Sequence, residues 1–308
     1  MEVSDIRSAA IGRRFKILTW KFTAILGVGL LAALIAANLA YGSLSSQRSR
    51  LAGKPGELLY AAAFSEFADE WELYEGKQSA RFVEEQLELL VSAPQTATWS
   101  TARHHFGALD ARITALAHAG PIDNAFGLAV HLRDSDADRC DLPAIILCGI
   151  AEAFPLAGAA LRQLLDMEHG TAYLAFMISS DGYYSVWKNE GGSMRPVSAW
   201  IPSPVIQPGL NVANRIRVLA QDASYRFFIN DKLVALCLPD DPAAASTYAG
   251  GECFDGQMRE SFRDESLAPG KLGAIVQATA TGGGGVVVRF DNLIVFSPAA
   301  PKEKDIQL

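Results

Sequence analysis

Signatures of catalysis and of metal binding are what this chain has least of. It holds four cysteines and five histidines in 308 residues. None of the cysteines forms a Cys-x-x-Cys pair and no histidine lies beside one, so ligation of zinc by all four is the weaker account of them. There is no Gly-x-Ser-x-Gly elbow for a nucleophilic serine. The glycine run Gly282 to Gly285 is not followed by Lys-Ser/Thr, so it is a turn and not a phosphate cradle. His104 and His105 are adjacent, which on a strand sends them to opposite faces and prevents joint ligation of a metal. Basic charge is also scarce over most of the length. The chain is −7 overall, yet its first fifty residues hold seven basic side chains against Glu2 and Asp5, so residues 51–308 carry −12. A domain of that charge has no nucleic-acid footprint and is repelled by anionic headgroups.

One long apolar run is present. Phe22 to Leu44 gives 23 positions without a charge, enough at 1.5 Å per residue to cross a hydrocarbon core of about 30 Å. Arg7, Arg13, Arg14, Lys16 and Lys21 precede it. A positive flank stays in the cytoplasm, so the expected topology is single-pass in the cell membrane, with a cytoplasmic leader (1–21), a transmembrane helix (22–44) and the remainder extracytoplasmic. Trp20 and Tyr41 stand near the two ends, at headgroup level. A cleaved signal peptide is the competing reading, with Ala40-Tyr41-Gly42 as its small-residue site, but the run exceeds an ordinary h-region and the leader is long. Residues 45–57, with Gly53, Pro55 and Gly56, read as a stalk.

The cysteines suit an oxidising compartment, because all four lie beyond the apolar run in two local pairs, Cys140 with Cys148 and Cys237 with Cys253. Two disulfides closing two loops is the simplest arrangement, although four cysteines allow three connectivities. Past residue 57 the dominant pattern is strand-like. Ala172 to Ile178 and Tyr183 to Lys188 flank Ser179-Ser180-Asp181-Gly182 as a hairpin, with Tyr183, Ser185 and Trp187 on one side and Tyr184, Val186 and Lys188 on the other. Arg215 to Ala220, Tyr225 to Ile229 and Leu233 to Cys237 follow, the last two joined at Asn230-Asp231. Lys271 to Ala278 and Val286 to Phe296 make a final pair, in which Val286, Val288, Phe290, Ile294 and Phe296 share one side. Leu58 to Phe64, Ala80 to Val91, Thr96 to Arg103, Asp110 to Ala119 and Asn124 to Arg133 are further strand candidates. About ten or more short strands argue for a sandwich spanning 58–298. Two insertions interrupt it. Residues 134–170 contain Leu156, Ala160 and Leu164 at helical spacing, and 238–270 is an acidic, proline-bearing loop. Residues 299–308 form a charged tail.

The order of several weak motifs resembles laminin-G-like or concanavalin A-like jelly-roll domains, including the group labelled 3-keto-disaccharide hydrolase-like. The pieces are Phe126-Gly127-Leu128-Ala129-Val130, Ile178-Ser179-Ser180-Asp181-Gly182-Tyr183-Tyr184, Trp200 with Ser203 and Ile206, Gly209 with Asn214, Phe228-Ile229-Asn230-Asp231 with Val234, Gly270 to Ile275, and Phe290-Asp291-Asn292 with Val295. The resemblance implies a mainly β, antiparallel two-sheet jelly-roll sandwich, carried on the N-terminal transmembrane helix and bearing the small helical insertion. Glycosidases of this fold place carboxylates on one strand as Glu-x-Asp-x-x-Glu. Glu84, Glu85 and Glu88 come nearest in density, but Glu85 and Glu88 differ in parity and no Asp lies between them. A bound Ca2+ would be familiar in the resembled domains. Asp134, Asp136 and Asp138 alternate as its oxygen ligands, with a solvated acidic loop as the simpler account; no other cofactor is expected.

These observations lead to a non-catalytic binding module for carbohydrate or another envelope ligand, with Tyr184, Trp187 and Trp200 as ligand-binding residues that stack on sugar rings. The alternative is a structural or assembly subunit. It would use the sandwich, the acidic loop and the small-residue helix face of Gly27, Ala33 and Ala37 for protein contacts, including homo-oligomers.

Overall fold

Period-two alternation becomes twenty strands in the computed structural model, which describes residues 50–62, 64, 70–133, 171–242, 244–267, 269–279 and 285–299. In chain order they are β1 (Arg50–Leu51), β2 (Leu58–Ala62), β3 (Gln78–Val83), β4 (Gln86–Val91), β5 (Ala97–Phe106), β6 (Leu109–Ala119), β7 (Asn124–Arg133), β8 (Ala172–Ile178), β9 (Tyr183–Glu190) and β10 (Ser193–Pro202). They continue as β11 (Asn214–Gln221), β12 (Ser224–Ile229), β13 (Lys232–Val234), β14 (Leu236–Pro239), β15 (Thr247–Ala249), β16 (Glu252–Phe254), β17 (Gly256–Arg259), β18 (Phe262–Arg263), β19 (Gly270–Ala278) and β20 (Val286–Phe296). No α-helix occurs among the described residues. The leader, the apolar run of 22–44, the helical insertion, Asp134 to Asp138, the Cys140/Cys148 pair and the tail from residue 300 lie outside them.

Sixteen of the strands form two layers, and β14 with β17 and β15 with β16 form two small sheets beside them. A seven-stranded sheet runs β1-β5-β19-β7-β8-β9-β10, and a nine-stranded one runs β13-β12-β11-β6-β20-β4-β3 with β18 beside β12 and β2 beside β20. All pairings are antiparallel except β1 with β5. Alternate residues turn inward from both layers. Phe126, Leu128 and Phe176 from the first sheet meet Ile113, Phe227 and Phe290 from the second, each at most 1% exposed. The Phe176 and Phe227 rings are 4.9 Å apart between centroids and tie β8 to β12 across the gap. Burial of each such ring contributes roughly 1.5–3 kcal/mol relative to leaving it in water. One charged residue shares the inward parity. Lys188 is 3% exposed, and its Nζ is held by Asp264 and Glu190, each at 2.5 Å, and by Ser266 Oγ at 2.8 Å.

Several expectations are corrected. Ala80 to Val91 is a hairpin and not one strand, because Glu84 and Glu85 both adopt left-handed backbone (φ 52° and 62°), as a tight two-residue turn requires. The final pair is not a hairpin, since β19 lies between β5 and β7 whereas β20 lies between β6 and β4 in the other layer. Parity along β20 also breaks. A register shift between Asp291 and Ile294, with Asn292 at φ 52°, turns Leu293 and Val295 inward where Ile294 and Phe296 were expected. Residues 50–57 are not a free stalk. Arg50 and Leu51 pair with His105 and Phe106, and Gly56 and Glu57 exchange backbone hydrogen bonds with Ser297. The acidic loop carries five short strands, β14 to β18, and the Cys237–Cys253 disulfide closes it with a Cα separation of 5.4 Å.

Candidate ligand-binding face

The seven-stranded sheet has a second apolar face, turned away from the core. On β8 the inward residues are Leu174, Phe176 and Ile178, so Tyr173, Ala175 and Met177 point the other way. They join Ala129, Leu132 and Ile275 in a cluster of its own, against which Trp99, Trp187, Met194 and Trp200 pack. Three of the chain's five tryptophans thus share one face.

Register sets their arrangement. One row across the sheet reads Thr101, Gly273, Ala129, Ala175, Trp187 and Pro196, and the next reads Trp99, Ile275, Gly127, Met177 and Ser185. With strands about 4.8 Å apart, Thr101 and Trp187 stand roughly 19 Å from each other across a floor of small side chains. The Trp99 ring lies 6.0 Å from that of Tyr173, with planes at 49°. Two polar atoms on this face, Thr101 Oγ1 and Trp187 Nε1, are buried without a hydrogen-bond partner among the described residues. A buried polar group in that state costs about 1–3 kcal/mol; Thr101 stands at one end of the row and Trp187 one strand short of the other. Ala129, Ala175, Met177 and Ile275 are fully buried, while the three indoles are partly buried.

Of the three side chains expected to bind ligand, Trp187 and Trp200 lie on this face and Tyr184 does not. Tyr184 has the opposite parity to Trp187. It is 4% exposed in the inter-sheet core, donates from Oη to Ala235 O at 2.5 Å, and burial pushes its phenol up to about 12. Sequence reading missed Trp99. Its signal was the alternation along β5, but only the β5–β19–β7–β8 pairing places it in the row of Met177, from which its ring reaches Tyr173.

The sheet offers little acid–base chemistry. Its seven strands contain a single carboxylate, Glu190, at the end of β9 and ion-paired to Lys188. Two carboxylates on the outer face of the nine-stranded sheet, Glu88 and Asp110, are instead locked to arginines. Glu88 accepts from Arg81 and Arg289, and Asp110 accepts from Arg217 and Arg112. Burial alone would raise both carboxyls, but these hydrogen bonds outweigh it and hold both below the usual range. Among the described residues no group of three or more His, Cys, Asp or Glu side chains could hold a metal ion.

No protein-family model matches the chain, and no curated protein does. Solved structures resemble it in outline. A protein of unknown function with a galectin-like fold from Bacillus subtilis is 12% identical, with a TM-score of 0.49 over 80% of this chain and 99% of that one. A carbohydrate-binding module, also from Bacillus subtilis, is 11% identical, with a TM-score of 0.44 over 74% and 96%. A β-glucanase from Bacillus licheniformis is 8% identical, with a TM-score of 0.42 over 79% and 99%. Similarity at this level assigns neither a family nor a ligand.

Proposed function

We propose that the chain is a membrane-anchored, extracytoplasmic and non-catalytic module that binds carbohydrate on the outer face of its seven-stranded sheet. The observation that carries this reading is the grouping of Trp99, Trp187 and Trp200 around a small-residue floor. Flat indoles stack on the apolar faces of sugar rings. The scarcity of carboxylates on these strands supports binding over hydrolysis, because glycoside cleavage needs two of them flanking the bond. The anchor is the apolar run of 22–44.

Full-length protein in detergent, tested on an array of envelope and plant polysaccharides, examines this directly. Retention on at least one glycan is expected, weakened about ten-fold by Trp187→Ala or Trp200→Ala, the effect of about 1.4 kcal/mol. Binding to no glycan, or binding that both variants leave unchanged, overturns the reading.

One observation favours the assembly subunit as a second reading. On the disulfide-closed excursion Phe254 is 47% exposed and Met258 45%, and large apolar side chains held out in this way suit a protein partner. Purification in mild detergent as a lone monomer would count against it.

A further inference from the structure

We infer that the sandwich sits directly on the bilayer, with the end formed by Arg50, Lys54, Leu58 and Arg133 against anionic lipid headgroups. The inference rests on the proposed anchor and concerns the orientation of the domain upon it.

Chain length limits the distance. The apolar run ends at Leu44, and Arg50 is already paired to His105 in the seven-stranded sheet. The five intervening residues, six steps from Leu44 to Arg50, reach about 20 Å at full extension. Residues 50–57, which would have lengthened the tether, are hydrogen-bonded to the domain. The domain therefore cannot be lifted far from the surface.

Register identifies which end faces down. Arg50 pairs with His105, His105 with Lys271, and Lys271 with Leu132, next to Arg133. Leu58 pairs with Phe296, which pairs with Asp110 at the start of β6, the strand that follows the end of β5. All of these groups lie at one end of the strands, and β6, with eleven residues, puts the opposite end roughly 35 Å away.

The chemistry of that end is unlike the rest of the domain. Most carboxylates there are ion-paired: Asp110 with Arg217 and Arg112, Asp264 and Glu190 with Lys188, and Glu265 with Arg263, whereas Glu57 and Asp222 are exposed. Arg50, Lys54 and Arg133 are exposed and their side chains form no ion pair among the described residues, although the exposed Glu57 carboxylate accepts from the Lys54 amide at 2.7 Å. Leu58, 55% exposed, stands among them. Unpaired cations around an exposed leucine suit the boundary between headgroups and acyl chains, where each cation near an anionic surface strengthens attachment roughly five-fold. The −12 of residues 51–308 does not oppose this, because charges more than a Debye length of about 8 Å from the surface are screened.

Leu58 and Ile122 provide a matched pair for the test, since Ile122 is 53% exposed and lies at the opposite end, between β6 and β7. A photo-crosslinking amino acid is placed at either position in the full-length chain, reconstituted into vesicles of phosphatidylglycerol and phosphatidylcholine. Lipid adducts are expected at position 58 and not at 122, falling at least five-fold in pure phosphatidylcholine or in the triple variant Arg50→Glu, Lys54→Glu, Arg133→Glu, whose folding is checked by circular dichroism. A chain that resists carbonate extraction yet gives no adduct at 58, equal adducts at both positions, or adducts indifferent to charge overturns the inference. A chain that carbonate extracts overturns the anchor itself.

Discussion

Tyr225 and His131 join the two layers through a single buried hydrogen bond. The Tyr225 hydroxyl on β12 lies 3.0 Å from Nδ1 of His131 on β7. The other ring nitrogen, Nε2, lies 2.8 Å from the Gly107 carbonyl. A carbonyl only accepts, so Nε2 carries the proton and Nδ1 accepts from the phenol, which burial holds well above its usual range and therefore protonated. His131 sits at φ 55°, within the irregular stretch of β7 that ends at Arg133. Conversion of Tyr225 to Phe leaves Nδ1 buried without a donor and should cost about 1–3 kcal/mol in urea unfolding. A loss below a few tenths would show that the bond contributes nothing to stability.

The same histidine makes the domain acid-sensitive. Burial, first of all, holds its pKa below the ordinary 6.5, with the nearby Arg133 and Arg50 acting in the same direction against the Gly107 hydrogen bond. The unfolded chain therefore takes up this proton at higher pH than the folded one. Stability is complete above about pH 6.5 and falls as pH drops toward the folded value. Urea midpoints measured from pH 7 to 5 should decline, and His131→Gln should flatten part of that decline. Parallel curves for the two proteins would remove His131 as the cause.

Parity within a strand was legible in the sequence, whereas the sheet a strand joins was not. Asn124 to Arg133 and the 172–190 hairpin stand where alternation and turn chemistry put them, because both signals are local. The separation of Tyr184 from Trp187 also followed from their opposite parity. Trp99, by contrast, meets Tyr173 across three strand pairings that link distant parts of the chain. Bulges defeat simple counting too. Asn292 at φ 52° inverts the second half of β20, and nothing in Asp-Asn alone distinguishes a bulge from a turn. Arg50 and Leu51 are too short a strand to display any period.

Asp110 should be the most costly surface carboxylate to neutralise. It accepts from Arg217 Nε at 2.6 Å and from Arg112 Nη2 at 2.9 Å, and Arg217 also stacks over Phe228 at 4.4 Å. Since its folded pKa is depressed, its contribution is present above about pH 4 and is lost as pH falls through the folded value. Asp110→Asn should cost about 1–3 kcal/mol at pH 7, with the difference from wild type shrinking toward pH 2. A difference independent of pH would assign the loss to packing.

Gly127 is needed for close backbone approach within the tryptophan face. A Cβ there would fall 2.0 Å from the Phe176 carbonyl oxygen and 3.0 Å from Met177 Cα. Backbone atoms on a paired central strand cannot yield cheaply, so Gly127→Ala should reach or exceed the ~3 kcal/mol upper range of overpacking. Thermal melting measures this, and a variant within 1 °C of wild type would contradict it.

The Cys237–Cys253 bond should govern the excursion and not the sandwich. Cys237 is fully buried and fastened twice to β10. Its amide donates to Ser198 Oγ at 3.1 Å, and Ser246 Oγ donates to its carbonyl at 2.6 Å while accepting from the Ala199 amide at 2.9 Å. Among the described residues Cys253 has no such fastening, and β16 pairs only with β15. Closing a loop with a sequence separation of 16 restricts the open chain by about 3 kcal/mol. Because β14 stays held when the bond is broken, that loss should fall on residues 247–259. Hydrogen exchange of Cys237→Ala, Cys253→Ala should therefore accelerate the amides of Thr247 to Phe254 by up to two orders of magnitude, with those of Phe126 and Phe176 unchanged. Uniform acceleration throughout would mean that the bond stabilises the whole domain.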